Sequence, residues 1–291
     1  MSELKDPEFS KAPEKPPFGA RVRLAFMGAC VATYGAVCGI GGGLFMTPIL
    51  HYVRKMPLKN AVATSLALVS ASTVAATITE MSIGKSELTG ERWQIVAALV
   101  VGSLLGAQAG FRVAKRIDVT KLKVMFAVVL VITGLRLLFQ ESPTVSAAGL
   151  AVDPDTVDLL LSSLVGFASG FLAPLLGIGG GLVAVPALFF GFPNLGYLGA
   201  RACGMAMGAC ASTRSLWLYS RDGVVDRDRA IALAVGAAVG ACGGVLLVHK
   251  DGAEQVAKIL MGVTLWVVAA RFLWDVYKLR GARLRDSGAQ A

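Results

Sequence analysis

A chain of 291 residues that is 55% hydrophobic and 16% charged, with a mean hydropathy of +0.66, is too apolar for a soluble two-domain protein and reads as an integral membrane protein. Its net charge of +9 does not argue for nucleic acid, because Lys and Arg gather beside membrane spans for topological reasons. The only histidines, His51 and His249, lie at segment edges, so no histidine metal centre or catalytic triad is expected, and no cofactor.

In chain order, residues 1–20 mix charge with Pro and Gly and read as a flexible cytoplasmic tail without the apolar core of a signal peptide. Eight apolar segments follow, at about 24–53, 61–83, 93–111, 122–139, 157–190, 202–219, 230–248 and 256–274. Most have the roughly 20 residues that a helix needs to cross about 30 Å of hydrocarbon. Two are too long, and both are interrupted by the same phrase: "GIGGGLFMTPIL" from Gly39 and "GIGGGLVAVPAL" from Gly177. Residues 279–291 read as a basic cytoplasmic tail. Cys30, Cys38, Cys203, Cys210 and Cys242 all fall in apolar stretches, which argues for reduced thiols over a disulfide framework.

The echo is wider than the glycines. Pro48 recurs as Pro186, "NAVATSLALVSAST" from Asn60 is answered by "RACGMAMGACASTR" from Arg201, and Gly102, Gly106, Gly110 are answered by Gly236, Gly240, Gly244. The chain is therefore read as two repeats, 21–139 and 157–278, joined by an acidic external linker, 140–156. If all eight segments crossed, 17 Lys and Arg would be cytoplasmic and 11 external, with the basic loop "FRVAKRIDVTKLK" on the wrong side. If each GIGGG segment instead enters, breaks and returns, the 28 basic residues divide 22 inside and 6 outside. The arms 24–38 and 44–53 would be about 22 and 15 Å long as helices, each short for a span. The expected fold is thus all-α and polytopic: two inverted repeats, each of three crossing helices plus one Gly-broken re-entrant hairpin, with both termini cytoplasmic.

Trp93 and Tyr197 are expected as interface anchors outside, and Trp217, Tyr219, Trp274 and Tyr277 inside. The glycine ladders are expected to let helix backbones approach closely.

Bare backbone amides cost several kcal/mol each in hydrocarbon, so a glycine run at membrane depth must be buried in protein or line a watery cavity. Where a half-helix begins after such a break, its free N–H groups and positive dipole end favour an anion. Paired breaks meeting near the midplane are a recurring transporter design. The candidate anion site is therefore Gly41, Gly42 and Gly43 with Gly179, Gly180 and Gly181. Hydroxyls from Thr64 and Ser65 are added to it, with Ser72 and the stretch 69–73 sharing Ser65's helical face. Bonding of these hydroxyls back to helix carbonyls is an equal alternative. In the second half the counterpart of "ATS" is Gly204-Met205-Ala206, so the site is expected to be asymmetric. Arg201, placed near the outer edge, is either an electrostatic funnel or a snorkelling topological charge. Glu80 and Asp275 lie near segment ends and no carboxylate falls mid-span, so the usual mark of a proton or cation relay is missing. Without a coupling ion, an inside-negative potential drives anions outward.

The paired GIGGG phrases, "KNAVATSLALVSAS" after the first, and "VGSLLGAQAG" resemble the TauE/SafE sulfite exporter family, also called the 4-toluene sulfonate uptake permease family. The resemblance covers nearly the whole chain between the tails. It implies a bacterial inner-membrane carrier of sulfite, sulfoacetate, sulfonates or related carboxylates, with the lipid bilayer and a small anion as its partners. It also marks Gly39–Gly43, Pro48, Thr64, Ser65, Gly177–Gly181 and Pro186, while Gly204-Met205-Ala206 departs from the family's "GTS". Two other readings stand beside the carrier, which is not expected to be an enzyme. One is a permease or redox protein that handles sulfane sulfur through Cys38 or Cys203; the other is a structural membrane subunit. A homo-oligomer is compatible with all three.

Overall fold

The first apolar segment is a single helix only as far as its glycines. In the computed structural model, which describes residues 17–83, 93–114, 156–192, 195–250 and 252–288, helix α1 runs over Phe18–Cys38. It stops at Gly39, whose φ of 79° makes a left-handed cap with its N–H on the Gly35 carbonyl. The chain reverses and starts α2, Gly43–Pro48, which passes into a π-helical turn, Ile49–Val53. α2 comes back beside α1. The Phe45 ring stands edge-on to Tyr34 with centroids 5.4 Å apart, and Met46 and Leu50 join Leu24 and Ala32 in one apolar cluster.

The segment is thus a hairpin, but its arms are unequal. At 21 residues α1 is about 31 Å long, enough to cross a bilayer, because the helix begins at Phe18, ahead of the apolar stretch, and takes in Arg21 and Arg23. The 15-residue arm expected from hydropathy is too short by about two turns.

The remaining helices are α3 (Leu58–Ser82), α4 (Trp93–Ala114), α5 (Thr156–Leu176), α6 (Gly181–Gly191), α7 (Gly196–Arg221), α8 (Arg227–Val248) and α9 (Ala253–Gly288). The described residues contain no strand. α3, α4, α5, α8 and α9 as far as Arg271 are long and apolar enough to span a membrane. α9 continues to Gly288, so much of the basic C-terminal tail extends a helix. The segment 122–139, the linker apart from Thr156, the rest of the basic loop from Lys115 on, the first sixteen residues and the side chains of Asp275 and Tyr277 lie outside the description.

The two halves exchange helices through their glycine ladders. A Cβ on Gly102, Gly106 or Gly110 of α4 would stand 2.0–2.1 Å from the carbonyl oxygens of Ser163, Phe167 and Phe171 in α5. In the same way Gly236, Gly240 and Gly244 of α8 lie against the carbonyls of Ala25, Ala29 and Thr33 in α1, at 1.8–2.5 Å. Both pairs run parallel, and each joins the third apolar segment of one half, α4 or α8, to the first helix of the other half, α5 or α1. Only glycine permits this approach, which brings backbone dipoles and the Thr33 hydroxyl within bonding reach; Thr33 donates to the Gly240 carbonyl at 2.9 Å.

α3 and α7 cross the centre in opposite directions. Ser70 meets Thr213 at 2.6 Å, Thr73 meets Ser212 at 3.5 Å, and Glu80 near the end of α3 meets Arg201 near the start of α7. Around this centre the outer faces stay apolar. Phe26, Leu105, Leu160, Leu164, Val235 and Val239 are each more than 60% exposed, a belt that water would not tolerate but lipid does. Trp93 and Trp274 are exposed, and Trp217 is stacked by Arg214 and Arg221. Tyr197 and Tyr219 depart from the expectation. Both are buried, and their hydroxyls donate to the carbonyls of Ala257 and Pro174, at 3.2 and 2.8 Å.

Candidate functional site

Each GIGGG uses its glycines in the same way. Gly39, Gly41 and Gly42 have φ of 79°, 69° and 78°; Gly177, Gly179 and Gly180 have 70°, 82° and 83°. A side chain in that left-handed region costs about 1–2 kcal/mol per residue. The last glycine of each motif has a different constraint. A Cβ on Gly43 would meet the Gly177 carbonyl oxygen at 2.1 Å, and one on Gly181 would meet that of Gly39 at 2.2 Å. The two motifs therefore touch reciprocally, the end of each against the start of the other.

Both short helices begin at this junction. Their N-cap residues, Gly42 and Gly180, supply no side-chain cap, and the first-turn N–H groups of any helix lack an intrahelical acceptor. The junction is closed in this structure: Gly39–Leu44 and Gly177–Leu182 are all buried. Val69 of α3 fills its middle. A Cβ on Gly41, Gly43 or Gly179 would collide with the Val69 methyls at 3.0, 2.4 and 2.3 Å.

Ser65 donates to the Gly177 carbonyl at 3.3 Å, shared with Val62 of its own helix, and bonds the Thr47 hydroxyl at 2.8 Å. Ser72 donates to the Gly41 carbonyl at 2.8 Å, shared with Val69. The expected face of α3 is present, and its hydroxyls serve the motifs and the helix carbonyls at once. Thr64 does not join them; it is fully buried on the far side, where its hydroxyl accepts from the Asp226 backbone N–H at 3.3 Å.

On the opposite motif the position next to the first glycine belongs to Arg201. A Cβ on Gly39 would stand 2.8 Å from the Arg201 Cγ. Arg201 is 0% exposed, donates from one terminal nitrogen to the Ala36 carbonyl at 2.9 Å, and forms an ion pair through the other with Glu80, itself 2% exposed. Neither reading expected for Arg201 holds: it is neither a funnel at an outer edge nor a snorkelling charge. It neutralises the C-terminal carbonyls of α1, where the helix dipole is negative. The second oxygen of Glu80 lies 3.1 Å from His249 Nε2.

This buried triad, and the Val69 plug, are not apparent from spacing alone. One signal for the triad was available. Glu80, Arg201 and His249 are rare ionisable residues at the ends of apolar segments, and the re-entrant topology puts all three at one membrane face, where buried charges must pair. Among the described residues no cluster of three His, Cys, Asp or Glu could hold a metal. Cys38 and Cys203 are buried, and neither is in a disulfide.

The model of the family described as "Sulfite exporter TauE/SafE" matches residues 4–137 and 162–290. A probable membrane transporter protein of Xylella fastidiosa strain 9a5c is 28% identical over 246 residues, covering 81% of this chain and 88% of the relative. The probable membrane transporter protein MJ0441 of Methanocaldococcus jannaschii is 29% identical over 172 residues, 57% of this chain and 60% of the relative. MamO of Paramagnetospirillum magneticum, also described as a probable membrane transporter protein, is 31% identical over 121 residues, 40% of this chain and 19% of the relative. No solved structure matches the chain.

Proposed function

Since the chain belongs to the TauE/SafE sulfite exporter family and is a multi-pass membrane transporter, we propose that it carries sulfur-containing or organic anions such as sulfite, sulfoacetate and sulfonates across the bacterial inner membrane, by alternating access to the double glycine junction. One observation carries this reading. Two uncapped helix starts, α2 and α6, meet at mutually touching backbone breaks, an arrangement suited to an anion that both can hold by N–H groups and dipole ends. Gly41–Gly43 and Gly179–Gly181 form the walls, and Ser65 is the hydroxyl donor already bonded there. Thr64 lies outside this set, and Arg201 supplies the one buried cation beside Gly39.

The inverted-repeat topology is part of the same proposal: repeats 21–139 and 157–278, with both termini cytoplasmic. Its support is directional. If all eight segments crossed, α3 and α7 would run parallel; the pairs Ser70–Thr213 and Glu80–Arg201 make them antiparallel, as inverted halves require. For a bare anion the membrane potential contributes about 2.3 kcal/mol per charge per 100 mV outward, which favours export. Burial of Cys38 and Cys203 favours a carrier over thiol chemistry.

The test is flux in proteoliposomes. Sulfite, sulfate, thiosulfate, 4-toluenesulfonate, sulfoacetate and small carboxylates are offered one at a time, with the membrane potential clamped at each sign. Movement of at least one sulfur-containing anion is expected. Failure to move any of them contradicts the reading, and a chain that moves none is better read as a structural subunit.

A further inference from the structure

Between Glu80 and His249 two buried atoms face each other without a hydrogen bond: Glu80 Oε1 and His249 Nε2, 3.1 Å apart. The other ring nitrogen, Nδ1, is 2.9 Å from the Val245 carbonyl. A carbonyl only accepts, so Nδ1 carries the ring proton and neutral His249 turns a lone pair toward Glu80. With Glu80 ionised, lone pair then meets lone pair at 3.1 Å. One added proton, on either atom, converts the repulsion into a hydrogen bond.

That proton changes the charge of the cluster. Arg201 and ionised Glu80 sum to zero; with the proton the triad is a cation in a buried place, which is costly unless a counter-anion accompanies it. Arg201 adjoins the glycine junction through Gly39, and its Nε is buried with no hydrogen-bond partner. Proton and anion therefore stabilise each other, and by linkage each raises the affinity for the other by the same factor.

Resting on the anion-carrier reading above, we infer that the Glu80–His249 pair holds a coupling proton, taken up together with the anion bound beside Arg201 and released with it, so that about one proton travels with each anion. No covalent bond forms or breaks: the proton enters from solvent by way of His249, the more exposed member at 17%, and sits between Nε2 and Oε1. A monovalent anion then moves without net charge, so the potential that favours export of a bare anion no longer acts on it and the pH gradient sets the direction.

Among the described residues, few other titratable groups lie near the cluster. Tyr34 and Cys38 of α1 and Tyr197 of α7 lie on the Arg201 side, with Glu254 of α9 acting on Tyr197. On the α8 side, Cys242 accepts from Thr79 next to Glu80, and Lys250 beside His249 is exposed. Lys258 of α9 lies over the Phe189 ring. Arg201 holds one Glu80 oxygen and His249 opposes the other.

The experiment uses the full chain in proteoliposomes loaded with a luminal pH dye. An inward gradient of 4-toluenesulfonate, isethionate or thiosulfate is imposed, anions that stay ionised between about pH 5 and 8. Luminal acidification at about one proton per anion is expected, with the apparent KM rising up to about tenfold per pH unit on the alkaline side. Anion flux with no proton movement overturns the inference and leaves the carrier intact; no flux of any anion removes the carrier reading and the inference with it. Glu80→Gln and His249→Asn should retain labelled-anion exchange but lose proton movement and become sensitive to membrane potential. Unchanged proton coupling in both variants overturns the assignment to this pair. If Glu80→Gln does not fold, the wild-type proton count and His249→Asn still decide.

Discussion

Ser65 of α3 and Gly177 of the second glycine motif are joined by a hydrogen bond of 3.3 Å, a side chain of one half holding the backbone of the other at the point where the second hairpin turns. The neighbouring hydroxyl, Thr64, points to Asp226 instead. The two adjacent residues should therefore behave differently. Ser65→Ala is expected to cost about 0.6 kcal/mol of stability, the mean for a side-chain hydrogen bond between membrane helices, and to lower anion flux severalfold. Thr64→Val keeps the volume, loses only the contact to Asp226, and should leave flux within twofold of wild type. Flux and thermal stability of the two purified variants, measured side by side, check this; equal flux loss in both would return Thr64 to the site.

The glycines divide into those that need their φ and those that need their emptiness. Gly43→Ala and Gly181→Ala each drive a methyl to within 2.1–2.2 Å of a carbonyl oxygen in the opposite motif. Overpacking of this kind costs about 1–3 kcal/mol, and here it also separates the two helix starts. Both variants should show lowered melting temperature in detergent and flux below a tenth of wild type. Gly243→Ala is the matched control. It lies in α8 with nothing within 4 Å, and alanine should be neutral there or stabilise by up to about 1 kcal/mol.

How much of this was legible without coordinates depends on the range of the interaction. The hairpins were, because glycine in a membrane segment is a local signal. So was the α3 face of Ser65 and Ser72, because helical period fixes which residues share a side. The start of α1 was misjudged, since hydropathy sees where the chain becomes apolar and not where it becomes helical; Arg21 of α1 reaches Asp228 of α8 at 3.2 Å. Which of the neighbours Thr64 and Ser65 bonds the glycine motif was not legible, because adjacent residues on a helix lie about 100° apart and only the partner helix decides which one is used. The Arg201–Glu80 pair spans 121 positions, a separation at which charge scarcity hints at pairing and geometry alone establishes it.

Two chain ends of α3 set a topological expectation. Thr64 is next to Asp226 and Glu80 is next to Arg201 and His249, so the loop before α3 and the loop before α8 share one membrane face, and the loop after α8 lies on the other. In a cysteine-free background, a single cysteine at Lys55 or Gly223 should react with an impermeant reagent only from the cytoplasmic face. One at Gly252 should react only from the external face. Labelling of Lys55 and Gly252 from the same side would dismantle the inverted arrangement and the shared junction with it.

Val69 is the side chain on which the transport reading can be pressed hardest, because its methyls fill the space between Gly41, Gly43 and Gly179. If the junction opens to pass an anion, Val69 must move aside or be passed. Val69→Ala removes two buried carbons, about 1.5 kcal/mol at about 0.8 kcal/mol each, and should widen the junction. Faster flux and weaker discrimination between small and aromatic sulfonates are expected. Val69→Phe should seal the junction and stop flux of every anion while the protein still inserts and elutes as a folded species. Val69→Thr keeps the shape and adds a hydroxyl where the helix starts meet, so it should lower the KM for an anion at a stability cost of about 1–3 kcal/mol for the buried hydroxyl. Wild-type rates in Val69→Phe would mean that the substrate path does not run through the glycine junction.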